Sequence, residues 1–168
     1  MGIQIDEIDT PTAPESVLRE LADYYGVIEA EDRPGDPPTP FAMMVADWRN
    51  LLPHLPVKRW ALREDGVVVG SAVVVYDLEQ NLQNGFGRIN VHPDHRKRGY
   101  ARMLARPMFD ELEAAERTRF DTWVKQDDPA EDLCAKVGLK AVYGEKRSRL
   151  TIEDLDRELM AEWIERSA

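Results

Sequence analysis

The chain has 168 residues, 43% of them hydrophobic and 32% charged, and a formal net charge of −10. That length suits one domain with a real core, and the apolar fraction excludes disorder of the whole chain. The acidic balance argues against nucleic acid, which asks for a broad basic face, and admits a cationic partner, although solubility alone is the plainer account of the charge.

The opening MGIQIDEID has no basic region followed by an apolar core, and Asp6 stands where a myristoylation motif wants Ser or Thr, so no secretory leader or lipid anchor is expected. IQIDEI forms a short first strand. In APESVLRELADYYGVIEA, the residues Val17, Leu18, Leu21, Tyr24 and Tyr25 recur at helical intervals. The Pro-rich RPGDPPTP must break that helix. A second helix follows in PFAMMVADWRNLL, ended by Pro53.

Strand character then takes over. KRWALRED and VVVGSAVVVYDL flank the turn EDG and predict a hairpin. The run VVVGSAVVVY is far short of a membrane span. NLQNG is another turn and FGRINVH a third strand. From Gly99 onward, YARMLARPMFDELEAAE predicts a helix with Ala101, Leu104, Met108 and Leu112 on its apolar face and a kink or weak point at Pro107. RFDTWVK reads as a strand, PAEDLCAKVG as a short helix closed by Gly138, and LKAVYGEKRSRLT as one or two further strands. The single cysteine, Cys134, cannot form an internal disulfide, which fits a reducing compartment. The final IEDLDRELMAEWIERS is an amphipathic helix carrying Ile152, Leu155, Leu159, Trp163 and Ile164. It caps the domain, mediates self-association as in a homodimer, or joins a neighbouring domain; capping is the preferred reading. The order predicts a single α/β (α+β) domain over 1–168 with a mixed sheet, with 151–168 as a C-terminal helix, in a soluble, cytoplasmic protein without membrane contact.

One short stretch concentrates positive charge in this acidic chain: VHPDHRKRGYA at 91–101. A metal site would use His92 and His95, but an H-x-x-H pair on a loop lacks further ligands at recognisable spacing, so no metal is expected. A nucleic-acid patch needs a wider basic face. A phosphate cradle has a mechanism: a strand ends at Val91 and a helix opens near Gly99, so first-turn N–H groups and the helix dipole attract an anion. Gly99 lets backbone come close, Ala101 is small, and Arg96, Lys97 and Arg98 add charge. Spacing alone leaves this level with a solvated basic turn.

VHPDHRKRGYARML resembles motif A of the GNAT superfamily of acetyl-CoA-dependent N-acetyltransferases, with Val91, Pro93, Arg96, Gly99 and Ala101 on the motif's positions. DDPAEDLCAKVGL resembles motif B, with Asp127 at the Asn position, Ala130 at the Ala and Gly138 at the Gly. The resemblance covers roughly 55–150. It implies a mostly antiparallel sheet of about six to seven strands, splayed between the fourth and fifth, with flanking helices. It also implies acetyl-CoA as co-substrate, its pantetheine arm along Ile89, Asn90 and Val91, a main-chain N–H there polarising the thioester, and its diphosphate on Arg98, Gly99, Tyr100 and Ala101 beside Arg96 and Lys97.

Two departures from the family pattern bear on catalysis. Cys134 stands where a Tyr often protonates the leaving thiolate; a thiol with a pKa of ~8.5 could donate a proton, but a lone helical Cys is more often a small buried hydrophobe. Tyr76, Tyr100 and Tyr143 are candidates without motif support. NGFGRINV offers no carboxylate as a base; among Asp77, Glu79, Asp121 and Asp127, the last is the first to test. The loop bearing Glu29, Glu31, Asp32 and Asp36 suggests a cationic amine acceptor, such as an aminoglycoside, polyamine or peptide. The function expected is acetyl transfer to a primary amine by direct attack. The alternative is a catalytically weak acyl-CoA-binding module, a sensor or half of a tandem protein.

Overall fold

The computed structural model describes every residue except Met1, Asp127, Arg147, Arg149 and Ala168. The chain divides into two compact units, Met1–Trp123 and Val124–Ala168.

The first unit is a five-stranded sheet in the order β1 (Ile3–Glu7), β2 (Val57–Glu64), β3 (Val67–Val75), β4 (Asn84–Val91), β5 (Arg119–Asp121). All neighbours are antiparallel except β4 and β5, which are parallel. The β2–β3 hairpin closes through Asp65 and Gly66 at φ of 50° and 88°, the paired left-handed conformation that a tight hairpin turn requires. A bulge between Leu62 and Arg63 shifts the register of that pair.

Alternation along β2 sends Trp60 and Leu62 to one face and Ala61 to the other. Trp60 and Leu62 join Val74, Leu104, Met108 and Leu112 in one core cluster, so α3 (Tyr100–Ala114) packs on that face. Ala61 joins Leu21, Tyr24 and Ile28 of α1 (Glu15–Asp32) in the second cluster, on the opposite face. The second helix, α2, is Phe41–Arg49. Helix α3 approaches β4 closely: a Cβ on Gly87 would meet Phe120 Cε2 at 2.8 Å, Val73 O at 2.9 Å and Met108 Sδ at 3.1 Å. Helix α3 runs continuously through Pro107, whose ring leaves the Met103 carbonyl without its usual helical donor.

In the second unit, α4 is Pro129–Lys136, opened by the Asp128 side chain on Ala130 N–H and closed by Gly138 at φ 90°, with Leu139 N–H on Cys134 O at 2.9 Å. The last helix, α5, is Arg157–Ser167. It starts later than its periodicity suggests because Asp156 caps it, accepting from Leu159 N–H at 2.9 Å.

The α/β class with a mixed, helix-flanked sheet is as expected, and the strand number is corrected from six or seven to five among the described residues. LKAVYGEKRSRLT contains no strand among its described residues. Its apolar residues are too few and too interspersed with charge to bury a face: Val142 and Tyr143 are exposed and Gly144 interrupts the run.

Candidate functional site

Strand β5 pairs with β4 only from Asn84 to Phe86, where β5 itself ends at Asp121, so β4 runs on from Gly87 to Val91 without a strand partner on that side. His92 N–H donates to Val69 O at 2.9 Å. By antiparallel alternation, Asn90 and Arg88 then exchange bonds with β3, while Ile89 and Val91 turn their N–H and C=O groups to the open edge. Asn90 thus differs from its two neighbours in role. Its carbonyl also accepts from the buried Tyr24 hydroxyl at 2.8 Å, and burial, with Tyr25 adjacent, pushes that phenol's pKa well up.

The basic turn follows at once. A single 3-10 turn at Pro93–His95 is capped by His92, whose Nδ1 accepts from Asp94 N–H. Lys97 at φ 62° and Gly99 at φ 85° bracket Arg98, and α3 begins with no side chain capping it. Alternating left-handed residues aim successive N–H groups inward, and the uncapped first turn of α3 adds its own. A Cβ on Gly99 would meet nothing within 4 Å beyond its chain neighbours, so the turn is open on that side.

The charges of the turn are less free than its sequence suggests. Arg96 donates through Nε to Val91 O at 3.1 Å and through both terminal nitrogens to the Glu31 carboxylate, one contact at 2.7 Å. Arg98 reaches both oxygens of Glu64 at 3.1 and 3.2 Å. His95 Nδ1 lies 2.7 Å from Glu64 Oε2, so His95 acts as a buttress of the turn. The Tyr100 hydroxyl, with His95 and Arg98, holds the Glu64 carboxyl below its usual range, and burial with Glu64 beside it pushes the Tyr100 phenol up. Lys97 is exposed and makes no ion pair among the described residues.

Of the acidic residues expected on a loop, Glu29, Glu31 and Asp32 lie instead in the last turns of α1, because the helix runs to Asp32, and they are engaged too. Glu29 pairs with Arg33 at 3.2 Å and accepts from Thr39 Oγ1 at 3.0 Å, Glu31 holds Arg96, and Asp32 holds Arg88 of β4. Sequence reasoning missed Glu31 and Glu64 as partners of the turn. Glu64 was absorbed in the turn EDG, and Glu31 sits at the far end of a helix.

The structure therefore brings Ile89, Asn90, Val91, Arg96, Lys97, Arg98, Gly99, Tyr100 and Ala101 into one continuous strand–turn–helix. The candidate base Asp127 lies outside the described residues. Cys134 lies on α4, partly buried, and burial pushes its thiol pKa up, so it is protonated at neutral pH. Tyr76 donates to Glu111 at 2.7 Å and is pushed up to about 12, by burial first and that carboxylate second. Asp77 accepts from the N–H groups of Glu79 and Gln80, which hold it below its usual range and make it a turn residue.

Residues 68–149 match the model of the FR47-like protein family. A search of the curated proteins gives no match. A tandem GNAT protein from the clavulanic acid biosynthesis pathway is similar at 20% identity and a TM-score of 0.69, over 82% of this chain and 43% of that one. The chain thus spans less than half of that tandem protein. A ribosomal-protein-alanine N-acetyltransferase from Brucella melitensis biovar Abortus 2308 is similar at 19% identity and a TM-score of 0.62, over 89% of this chain and 100% of that one. An aminoglycoside N-acetyltransferase in complex with CoA shows 16% identity and a TM-score of 0.63, over 89% of this chain and 95% of that one. With its mixed sheet, the unpaired end of β4 and the glycine-opened α3, the chain has a GNAT-like fold, and just under half of it matches the FR47-like family model.

Proposed function

We propose that this protein transfers an acetyl group from acetyl-CoA to a primary amine of a small cationic molecule or peptide. The observation that carries the reading is one juxtaposition. The uncapped, left-handed-nested start of α3 follows directly on a β4 edge that has lost its strand partner. An elongated ligand with an anionic end and an amide-bearing arm matches both parts. The diphosphate takes the N–H groups of Arg98, Gly99, Tyr100 and Ala101, with Lys97 beside them. Arg96 joins when Glu31 yields it. The pantetheine arm pairs with Ile89 and Val91, and a free N–H of that edge polarises the thioester carbonyl. The solved relative with CoA bound supports this choice of ligand.

The amine nitrogen attacks the thioester carbon, forming the C–N bond as the C–S bond breaks. The ammonium loses a proton to water or to a carboxylate, for which Asp127 remains the candidate. The departing thiolate takes a proton, for which Cys134 remains the candidate. Alignment of the two reactants and carbonyl polarisation supply most of the acceleration. The net charge of −10 favours a cationic acceptor by its long-range field, because Glu29, Glu31 and Asp32 already hold partners. One observation favours the alternative of an acyl-CoA-binding module: β4 carries no carboxylate side chain.

The test is a thermal-shift series with acetyl-CoA, followed by CoA release across a panel of amines. Acetyl-CoA at 100 times its Kd should stabilise the protein by about 2.7 kcal/mol. Stabilisation with turnover supports the transferase, stabilisation without turnover on any amine supports the binding module, and no stabilisation refutes both.

A further inference from the structure

The first unit holds a buried cation that neither the turn nor the sheet edge uses. Arg59 lies on β2, on the α1 side of the sheet, with 9% of its surface exposed. Its guanidinium carbon sits 5.3 Å from the Tyr25 ring centre and 5.6 Å from that of Trp48. One terminal nitrogen donates to the Tyr25 hydroxyl at 2.6 Å, and that hydroxyl shares a hydrogen bond with Ser71 Oγ at 2.9 Å. The Nε–H is buried and bonded to nothing, and no carboxylate pairs with Arg59 among the described residues. Neighbouring arginines of the same face differ: Arg63 holds Asp6 and Glu20, and Arg88 holds Asp32. A buried guanidinium with part of its fork unmet is costly, aromatic faces offset only part of that, and a carboxylate fits the fork in two places.

The sheet gives this cation a route to β4. The register sets Arg59, Val73 and Arg88 in one row across β2, β3 and β4, with Val75 opposite Phe86 in the next row. Val73, Val75, Phe86 and Arg88 are only half-buried, whereas Ala72, Val74 and Gly87 on the α3 face are buried. The helices of the α1 side therefore leave an apolar floor partly uncovered between Arg59 and β4. Two strand spacings, ~10 Å, separate the ends of that floor, about the length of three extended residues.

Resting on the acetyl-transfer reading, we propose that Arg59 is an acceptor-binding residue that takes a carboxylate, and that the acceptor is accordingly a short peptide whose amine reaches the β4 edge. This narrows the acceptor class to its peptide side and sets aside amines that lack an anionic group.

The experiment compares a panel of tripeptides, trialanine among them, with their C-terminal amides and with an aminoglycoside, in the wild type, Arg59→Lys and Arg59→Met. Binding of trialanine to the acetyl-CoA-loaded protein is followed separately by quenching of tryptophan fluorescence, since Trp48 flanks the site. We expect the free acids to exceed their amides at least tenfold in kcat/KM, mostly through KM. Arg59→Met should remove that preference and the quenching, with acetyl-CoA affinity unchanged; Arg59→Lys should keep part of it. Saturable quenching without turnover would uphold the subsite and refute the acetyl-transfer reading instead. Amides or aminoglycosides used as well as the acids, or no quenching by trialanine, would overturn the proposal. The wild-type comparison stands even where a variant fails to fold.

Discussion

Replacing Gly99 by alanine separates the two properties that this position combines. Its φ of 85° lies in the left-handed region, and a Cβ built there has nothing within 4 Å. The substitution therefore carries backbone strain but no clash. An L-residue in that conformation costs about 1–2 kcal/mol, which for a chain of this size lowers Tm by roughly 2–8 °C. The new methyl group adds bulk at the turn where the diphosphate is proposed to sit on the N–H groups of Tyr100 and Ala101. Losing two charge-assisted hydrogen bonds, each worth about 1.5–3 kcal/mol, weakens CoA by roughly 10²–10⁴-fold. Calorimetric titration with CoA gives the affinity, and kcat/KM with acetyl-pantetheine, which lacks the diphosphate, gives the control. CoA affinity should fall by at least a hundredfold, with acetyl-pantetheine turnover little changed. Equal loss with both donors, or a lowered Tm with CoA affinity intact, would refute the diphosphate assignment.

Glu31→Gln frees Arg96 from its carboxylate; because both side chains are over 40% exposed, the pair itself is weak, about 0.2–1 kcal/mol, and CoA should bind up to several-fold tighter by titration. Weaker binding in that variant would show that Glu31 orients Arg96 and does not compete for it. Glu64 is held below its usual pKa by Tyr100, His95 and Arg98, so its ionised form contributes stability above the ordinary carboxylate value of 4.5 and loses it as pH falls through the lowered one. The Tm difference between wild type and Glu64→Gln should therefore be full at pH 7 and shrink as pH falls below that range; a difference that grows on acidification contradicts the pairing. Gly87→Ala presses a methyl against Phe120 and, at 2.9 Å, the Val73 carbonyl oxygen, so chemical denaturation should show a loss of about 1–3 kcal/mol, and no loss would mean that β4 moves freely.

Much of the first unit was legible because its signals are local. The EDG turn carries its left-handed pair at Asp65 and Gly66, and the αL residue at the head of α3 is the glycine that the sequence singled out. What stayed hidden depends on long-range placement. Arg96 and Glu31 lie 65 residues apart, so no spacing rule joins them, and the basic turn read as freer charge than it is. Arg59 stands among Lys58, Trp60 and Ala61 as an ordinary polar position of a strand. Only the packing of Tyr25 and Trp48 from two helices makes it a buried cation. The segment after Gly138 reads as strand from residue type alone, whereas Val142 and Tyr143 are exposed there and Gly144 interrupts the run.

Backbone amide resonances followed during an acetyl-CoA titration test the central claim most directly. The account predicts saturable shifts at Gly99, Tyr100 and Ala101 from the anion, and at Ile89 and Val91 from the paired arm, all with one Kd. Saturable binding that leaves those five amides unmoved would contradict it.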